Sequence, residues 1–261
     1  GGFVTFGGNL MIQRRTKMNA SAGELLVPNL FSLNNGINKP TVTSELIRRK
    51  MNSLYGSLQL NWDGYLFLDI TARNDWSSTM SKANRSYFYP SVSLSGVISD
   101  MVPKLGGQMP EWFTFAKVRA SYAEVGNDLD PYQLYNNFTV GKDENGNTTA
   151  APGNVLYDSS VRSELIKSWE AGFDIRFFNN RLGLDAAWYK TNATRQLLNL
   201  PMDPFSGYSS RKVNAGNIQN EGIEISLNGL ILDNPKGLSW NSTAQFSLNR
   251  NKIIDLYPEK G

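Results

Sequence analysis

From Leu54 to Asp100 the chain alternates almost residue by residue between apolar and polar side chains. Leu54, Gly56, Leu58 and Leu60 share one face, with Tyr55, Ser57 and Gln59 on the other. After Asn61-Trp62-Asp63-Gly64, residues Leu66, Leu68, Ile70 and Ala72 take one face, and Tyr65, Phe67, Asp69, Thr71 and Arg73 the other. Further on, Pro90, Val92, Leu94, Gly96 and Ile98 alternate with Tyr89, Ser91, Ser93 and Ser95. Successive side chains of a strand point to opposite faces, so the pattern predicts three strands, each with one greasy and one polar surface. Asp63-Gly64 predicts a tight hairpin, because both residue types tolerate positive φ.

The same period returns along the chain. Ala116, Val118, Ala120 and Tyr122 oppose Lys117, Arg119 and Ser121; Trp169, Ala171, Phe173, Ile175 and Phe177 oppose Ser168, Glu170, Gly172, Asp174 and Arg176. Leu182 to Tyr189, Ile223 to Asn228 and Leu238 to Asn249 repeat it. A first strand is predicted from Phe3 to about Ile12, interrupted by Gly7-Gly8, and a second from about Glu45 to Leu60. That makes about nine strands. The connections around 15–44, 76–86, 126–162 and 198–215 are long, and those at 61–64, 100–111, 179–181 and 232–237 are short. In an up-and-down antiparallel sheet alternate connections share an end, so the long loops are expected to crowd one end and the short turns the other. The Leu25–Phe31 patch fits a short helix or a packed loop equally.

This parity of connections is a habit of membrane barrels, and the aromatic residues agree with it. Trp62, Trp112 and Trp240 fall at the short-turn ends, and Trp76, Tyr87, Tyr89 and Trp169 at the long-loop ends. Amphipathic rings settle at both membrane–water interfaces. The fold class expected is therefore all-β: an open, antiparallel, up-and-down segment of a transmembrane β-barrel.

Composition narrows the chemistry. The 261 residues are 40% hydrophobic, with a mean hydropathy of −0.37, a balance common to soluble proteins and to barrels with a polar interior. No apolar run approaches the roughly 18 residues of a membrane helix. The net charge of +3 is small and dispersed, which argues against a nucleic-acid partner. The chain has no cysteine and no histidine, which removes disulfides, thiol nucleophiles, Cys/His zinc sites and His-based triads together. Gly1-Gly2-Phe3 lacks an initiator methionine, and Tyr257 to Gly261 carries no helix or strand ending. Both ends read as cuts.

Several segments resemble one family. Arg73-Asn74-Asp75-Trp76-Ser77-Ser78-Thr79 and Asn84-Arg85-Ser86-Tyr87-Phe88-Tyr89-Pro90-Ser91-Val92-Ser93-Leu94-Ser95 look like the barrel signature of SusC/RagA-type TonB-linked (TonB-dependent) outer-membrane transporters. Lys117 to Asp128 (KVRASYAEVGND) and Asn214 to Glu224 (NAGNIQNEGIE) resemble later stretches of that family, in matching order. The resemblance implies a plugged barrel of roughly 22 strands in the outer membrane of a Gram-negative cell. Such a barrel imports oligosaccharides or peptides, with a SusD-like lipoprotein as lid and the TonB complex acting through the plug. Residues 1–261 are then expected to be part of the barrel domain, without plug or remaining strands, spanning the lipid bilayer and needing no cofactor. No enzyme activity is expected. The alternative is a soluble extracellular β-sandwich that binds or cleaves carbohydrate.

Four groups of residues offer candidate site chemistry. Arg73, Asp75 and Trp76 offer a guanidinium, a carboxylate and a ring suited to a sugar, against plain pairing and membrane anchoring. Asp69, Glu170, Asp174 and Asp185 offer paired carboxylates for glycoside hydrolysis, against pairing with Arg or Lys on a wet face. Asp128, Asp130, Asp143 and Glu144 offer oxygen ligands for calcium but lack the EF-hand spacing. Gly106-Gly107 and Gly7-Gly8 lack a following Lys-Ser/Thr and read as turn or bulge glycines. In each case the structural role is the expectation, so no catalytic, metal or cofactor residue is assigned and the substrate-binding residues stay unknown.

Overall fold

The computed structural model describes residues 1–256, so the expected cut at Tyr257–Gly261 lies outside the described residues. Twelve strands occur in chain order: β1 (Gly2–Ser21), β2 (Thr41–Trp62), β3 (Leu66–Ser77), β4 (Ser86–Val97), β5 (Phe113–Asn127), β6 (Phe138–Lys142), β7 (Thr148–Pro152), β8 (Val155–Leu156), β9 (Glu164–Phe177), β10 (Leu182–Pro201), β11 (Ser210–Leu232) and β12 (Trp240–Asp255). A short helix, α1 (Ile98–Lys104), lies between β4 and β5. Nine strands form one sheet in the order β1-β2-β3-β4-β5-β9-β10-β11-β12, every neighbour antiparallel. β6 and β7 make a separate hairpin within the β5–β9 connection, and β8 adds in parallel to the start of β11.

Register aligns the alternation across the whole sheet. Followed from partner to partner, one row reads Gly2, Leu60, Leu68, Leu94, Ala120, Ala171, Trp188, Ile223 and Leu248. Two residues nearer the short connections the row is Trp62, Leu66, Gly96, Val118, Phe173, Ala186, Ile225 and Phe246. Between them runs Asn61, Phe67, Ser95, Arg119, Gly172, Ala187, Glu224 and Ser247, on the opposite face. A one-residue slip anywhere would move an aliphatic row onto the polar side, so the pattern pins the register.

Among the described residues no layer lies against the apolar face: Leu94 is 47% exposed and Phe246 58%. A soluble sandwich buries such faces against a second sheet. The single sheet with a bare apolar face therefore excludes that alternative and leaves lipid as the medium that covers it.

The turns follow from their residues. Asp63 and Gly64 take φ of 50° and 76°, and Tyr65 N closes on Trp62 O at 3.2 Å. Phe178, Asn179 and Asn180 are all left-handed, joining β9 to β10. Four long connections gather at one end. Asn84 of the β3–β4 loop donates to the carbonyls of Ser160 and Val161 at 2.9 and 3.1 Å, which puts loops 76–86 and 126–162 together, as the parity requires.

Several boundaries differ from expectation. β1 runs unbroken through Gly7-Gly8. A Cβ on Gly7 would meet the Tyr55 ring at 2.4 Å, so the glycine admits a cross-strand ring rather than ending the strand. β1, β2, β10 and β11 extend beyond their predicted ends, narrowing the loops to 22–40 and 202–209. The Leu25–Phe31 patch is a loop tied down by Asn35, whose amide donates to the Val27 and Leu30 carbonyls at 2.8 Å each. Tyr87 and Tyr89 also differ. They share a face with Ser91 and Ser93, so the rings on the apolar face at this end are Trp76, Phe88, Tyr122 and Trp169.

Candidate functional surface: the polar wall and the loop crown

The polar face is lined by hydrogen-bonding side chains held at fixed strand positions. Arg119 of β5 forks onto Asp185 of β10, with N–O distances of 3.0 and 3.2 Å, and lies 3.6 Å from Glu170 of β9. The guanidinium reaches across β9 because Gly172 has no side chain; a Cβ there would sit 2.9 Å from the Arg119 Cζ. A bidentate pair of this kind fixes the plane of the guanidinium. Around it opens a hollow of about 740 Å³, lined by Tyr189, Glu224, Ser226, Gln245 and Ser247 among others. This is a wet wall, rich in donors and acceptors and poor in grease.

The structure sorts the candidate carboxylates. Glu170 and Asp185 share Arg119, while Asp174 pairs with Arg176 at 2.8 Å. Asp69 stands apart on β3, beside Gln59 and Phe67 in a hollow of about 370 Å³. These acids are dispersed or matched to guanidinium groups, the arrangement expected of a solvated interior.

Arg73, Asp75 and Trp76 do not converge. Arg73 Nε donates to Asp75 Oδ1 at 2.8 Å and to the Tyr89 hydroxyl at 3.1 Å, and its terminal nitrogen to Ser53 Oγ at 2.8 Å. Tyr89 donates in turn to Asp75. Trp76 follows on the opposite face, as alternation demands. The triplet is therefore a half-buried polar knot plus an interface ring.

The oxygen-ligand candidates separate as well. Asp128 is buried and accepts from Arg49, Ser77 and Thr79, the last at 2.7 Å. Asp143 caps its own hairpin turn, accepting from Asn145 N at 2.9 Å and from Asn147 N and Nδ2 at 2.8 and 3.0 Å. The Asn147 side chain and these backbone donors hold its carboxyl below the usual range. Among the described residues no cluster of three or more His, Cys, Asp or Glu could hold a metal.

The contacts that close the loop crown carry no signal in the sequence. Met80, Leu129, Leu134 and Val161 form a small apolar core there, with Leu197 packed against it. The Tyr132 hydroxyl accepts from Arg48 N and donates to Leu46 O, tying the β5–β9 connection to β2. Asp158 accepts from Ser160 N at 2.8 Å and from Arg211 of β11 at 2.6 Å. The Ser160 donors first, then Arg211, hold its carboxyl down at about 2. These contacts join residues far apart in the chain and have no local period that could announce them.

A single antiparallel arc with a bare apolar outer face, rings at both rims, a wet inner face and long loops gathered at one end is the wall of an outer-membrane β-barrel. Residues 6–257 match the model of the TonB dependent receptor-like beta-barrel, and the chain belongs to that family, whose members sit in the outer membrane of Gram-negative bacteria. It is 30% identical over 223 residues to TonB-dependent receptor P3 of Formosa agariphila, covering 82% of this chain and 21% of that protein. It is 25% identical over 233 residues to TonB-dependent receptor SusC of Bacteroides thetaiotaomicron, covering 82% of this chain and 22% of that one. A solved structure titled as the RagAB peptide importer in its "closed-closed" state superposes with a TM-score of 0.84 at 22% identity, over 99% of this chain and 28% of its own. The chain thus spans about a fifth of the length of the curated relatives it matches.

Proposed function

We propose that the chain is part of the barrel wall of a TonB-dependent importer of bulky nutrients, oligosaccharides or peptides, rather than an enzyme. The long-loop crown is the extracellular end, where nutrient and a SusD-like lipoprotein lid are met. A plug domain outside this stretch fills the lumen and draws on the TonB complex. The observation that carries the reading is the inner face. Arg119, Glu170, Asp185, Tyr189 and Glu224 line a polar wall able to pass polar cargo, while the outer face is apolar and bare. The peptide importer among the structural neighbours supports cargo of this size class.

The test is uptake by the full-length receptor in its own cells. Labelled oligosaccharides and peptides are offered with the proton-motive force intact or collapsed. Energy-dependent uptake of one cargo class that disappears on deletion of the receptor is expected. Equal uptake with and without the receptor, for every cargo, would overturn the reading.

A further inference from the structure

Toward the long-loop end the outward face turns from aliphatic to basic. On β2, Lys50 and Arg48 continue the face that carries Leu54 and Leu58, and Arg14 lies opposite Arg48 on β1. Arg85 closes the loop before β4. The outward positions of β1, β2, β3 and β4 hold no carboxylate. The other half of the rim is balanced. Lys167 has Glu124 at 3.7 Å, and Lys190 and Arg250 both lie opposite Glu221.

Three backbone segments meet in the unbalanced half. Lys50 N donates to Ser78 Oγ at 2.9 Å, Ser78 N returns to Lys50 O at 2.9 Å, and Ser77 N donates to Arg85 O at 2.9 Å. Asn52 pairs with Trp76, and Trp76 with Ser86. These bonds hold Lys50 and Arg85 against the two residues that follow Trp76, Ser78 and Ser77 respectively. Between them lies a hollow of about 340 Å³, completed by Asn52, Ser77 and Ser78. Both cations are exposed, and neither has an ion-pair partner among the described residues.

We propose that this hollow holds the phosphorylated sugar headgroup of a glycolipid in the outer leaflet. Lys50 and Arg85 take the phosphate, and Trp76 lies against the sugar. Long cationic side chains lay their stems along apolar surface and lift their heads to headgroup level, where tryptophan also settles. Guanidinium and ammonium both bind phosphate, the first as a planar fork and the second as a point charge. A soluble ligand would not need a site on the lipid-facing side of the wall. The inference rests on the orientation proposed above.

The test uses the purified full-length receptor and native mass spectrometry. The probes are a phosphorylated lipid A-type disaccharide lipid, its dephosphorylated counterpart and inorganic phosphate. Retention of the phosphorylated lipid over the dephosphorylated one is expected. The Lys50→Gln/Arg85→Gln double variant should bind it about thirtyfold more weakly, from two lost cations at an anionic surface. Lys167→Gln, which removes a cation already neutralised, should change binding little. Equal retention of both lipids, unchanged binding in the double variant, or displacement by inorganic phosphate at the lipid's own concentration would overturn the proposal. A Glu144→Cys receptor, with the cysteine at the exposed tip of the β6–β7 hairpin and outside the hollow, treated with an impermeant maleimide on intact cells reports orientation separately. Labelling there together with equal retention of the two lipids defeats the lipid site alone, and labelling only after lysis defeats the orientation.

Discussion

Arg49 of β2 donates to the carboxylate of Asp128, just past β5, although β3 and β4 lie between the two strands. The Ser77 and Thr79 hydroxyls fill the gap by donating to the same carboxylate. Asp128 is 3% exposed in its side chain and Arg49 27%, so this pair is largely removed from water and bridges the base of the loop crown. Arg49→Ala leaves a buried carboxylate without its cation and should destabilise the crown by about 3 kcal/mol. Asp128→Asn keeps an acceptor for the two hydroxyls and should cost less, about 1–2 kcal/mol. Amide exchange over residues 128–134 in the full-length receptor reads both. Equal effects, or none, would show that the pair does not hold the loop.

Leu94 and Ser93 are adjacent, but Leu94 belongs to the outward row Leu68–Leu94–Ala120 and Ser93 to the inner face. An arginine on the lipid face near the midplane costs about 2–4 kcal/mol, whereas one in the lumen is hydrated. Leu94→Arg should therefore lower the yield of heat-modifiable barrel sharply, and Ser93→Arg should leave it near the parent level. Equal yields would refute the assignment of faces.

Period-2 alternation made the sheet legible wherever one face meets lipid and the other water, as in β3, β4, β5 and β9. It failed where both faces are wet. Arg14-Arg15-Thr16-Lys17 of β1 and Thr41-Val42-Thr43-Ser44 of β2 show no clean alternation, yet the first pairs with Arg48 to Glu45 of β2 and the second with Ser21 to Met18 of β1, residue for residue above the band. The upper ends of β10 and β11 and the β6–β7 hairpin were hidden for the same reason. Connection parity was readable because it depends only on loop length. The candidate acids were legible as residue types, but their partners were not. Arg119 reaches Asp185 by crossing a glycine on an intervening strand, and no local spacing encodes that.

Two glycines of β11 offer a matched comparison. A Cβ at Gly222 would lie 2.5 Å from the Tyr189 ring and 2.6 Å from the Leu248 carbonyl, whereas a Cβ at Gly229 meets nothing within 4 Å. Gly222→Val should cost about 1–3 kcal/mol through displaced ring and backbone. Gly229→Val should be neutral or mildly stabilising, because valine suits a strand better than glycine. Thermal melts of the folded receptor decide. A more stable Gly222→Val variant would mean that Tyr189 does not pack over that position.

Asp158 makes the attachment of the crown to β11 sensitive to acid. Its folded-state carboxyl titrates at about 2, below the ordinary value. The stabilisation it confers is therefore complete above the unfolded value, about 3.9, and is lost as pH falls from there toward 2. The chain has no cysteine, so an environment-sensitive dye on Asn154→Cys reports this contact alone. The signal should be flat at neutral pH and change only in that acid window. Arg211→Ala should move the change to higher pH. A transition centred near neutrality would assign the contact to another group.

The last prediction concerns the two free edges. Strand direction alternates along the nine-strand path, so β1 and β12 run parallel to each other. Head-to-tail joining of two copies through β12 and β1 would force a parallel pair into an otherwise antiparallel sheet. An even-stranded antiparallel barrel must therefore supply an odd number of strands between these edges. Produced by itself, the 261-residue chain presents both edges as rows of unpaired N–H and C=O groups, each costing several kcal/mol in hydrocarbon. It should associate rather than stay monomeric. The antiparallel solution is isologous, β12 on β12 or β1 on β1. Single-cysteine chains test this directly. Asn249→Cys on β12 should form disulfide-linked dimers on mild oxidation, and so should Asn9→Cys on β1. Mixing the two should give few mixed dimers. A stable, detergent-free monomer, or predominantly mixed dimers, would refute the edge geometry drawn here.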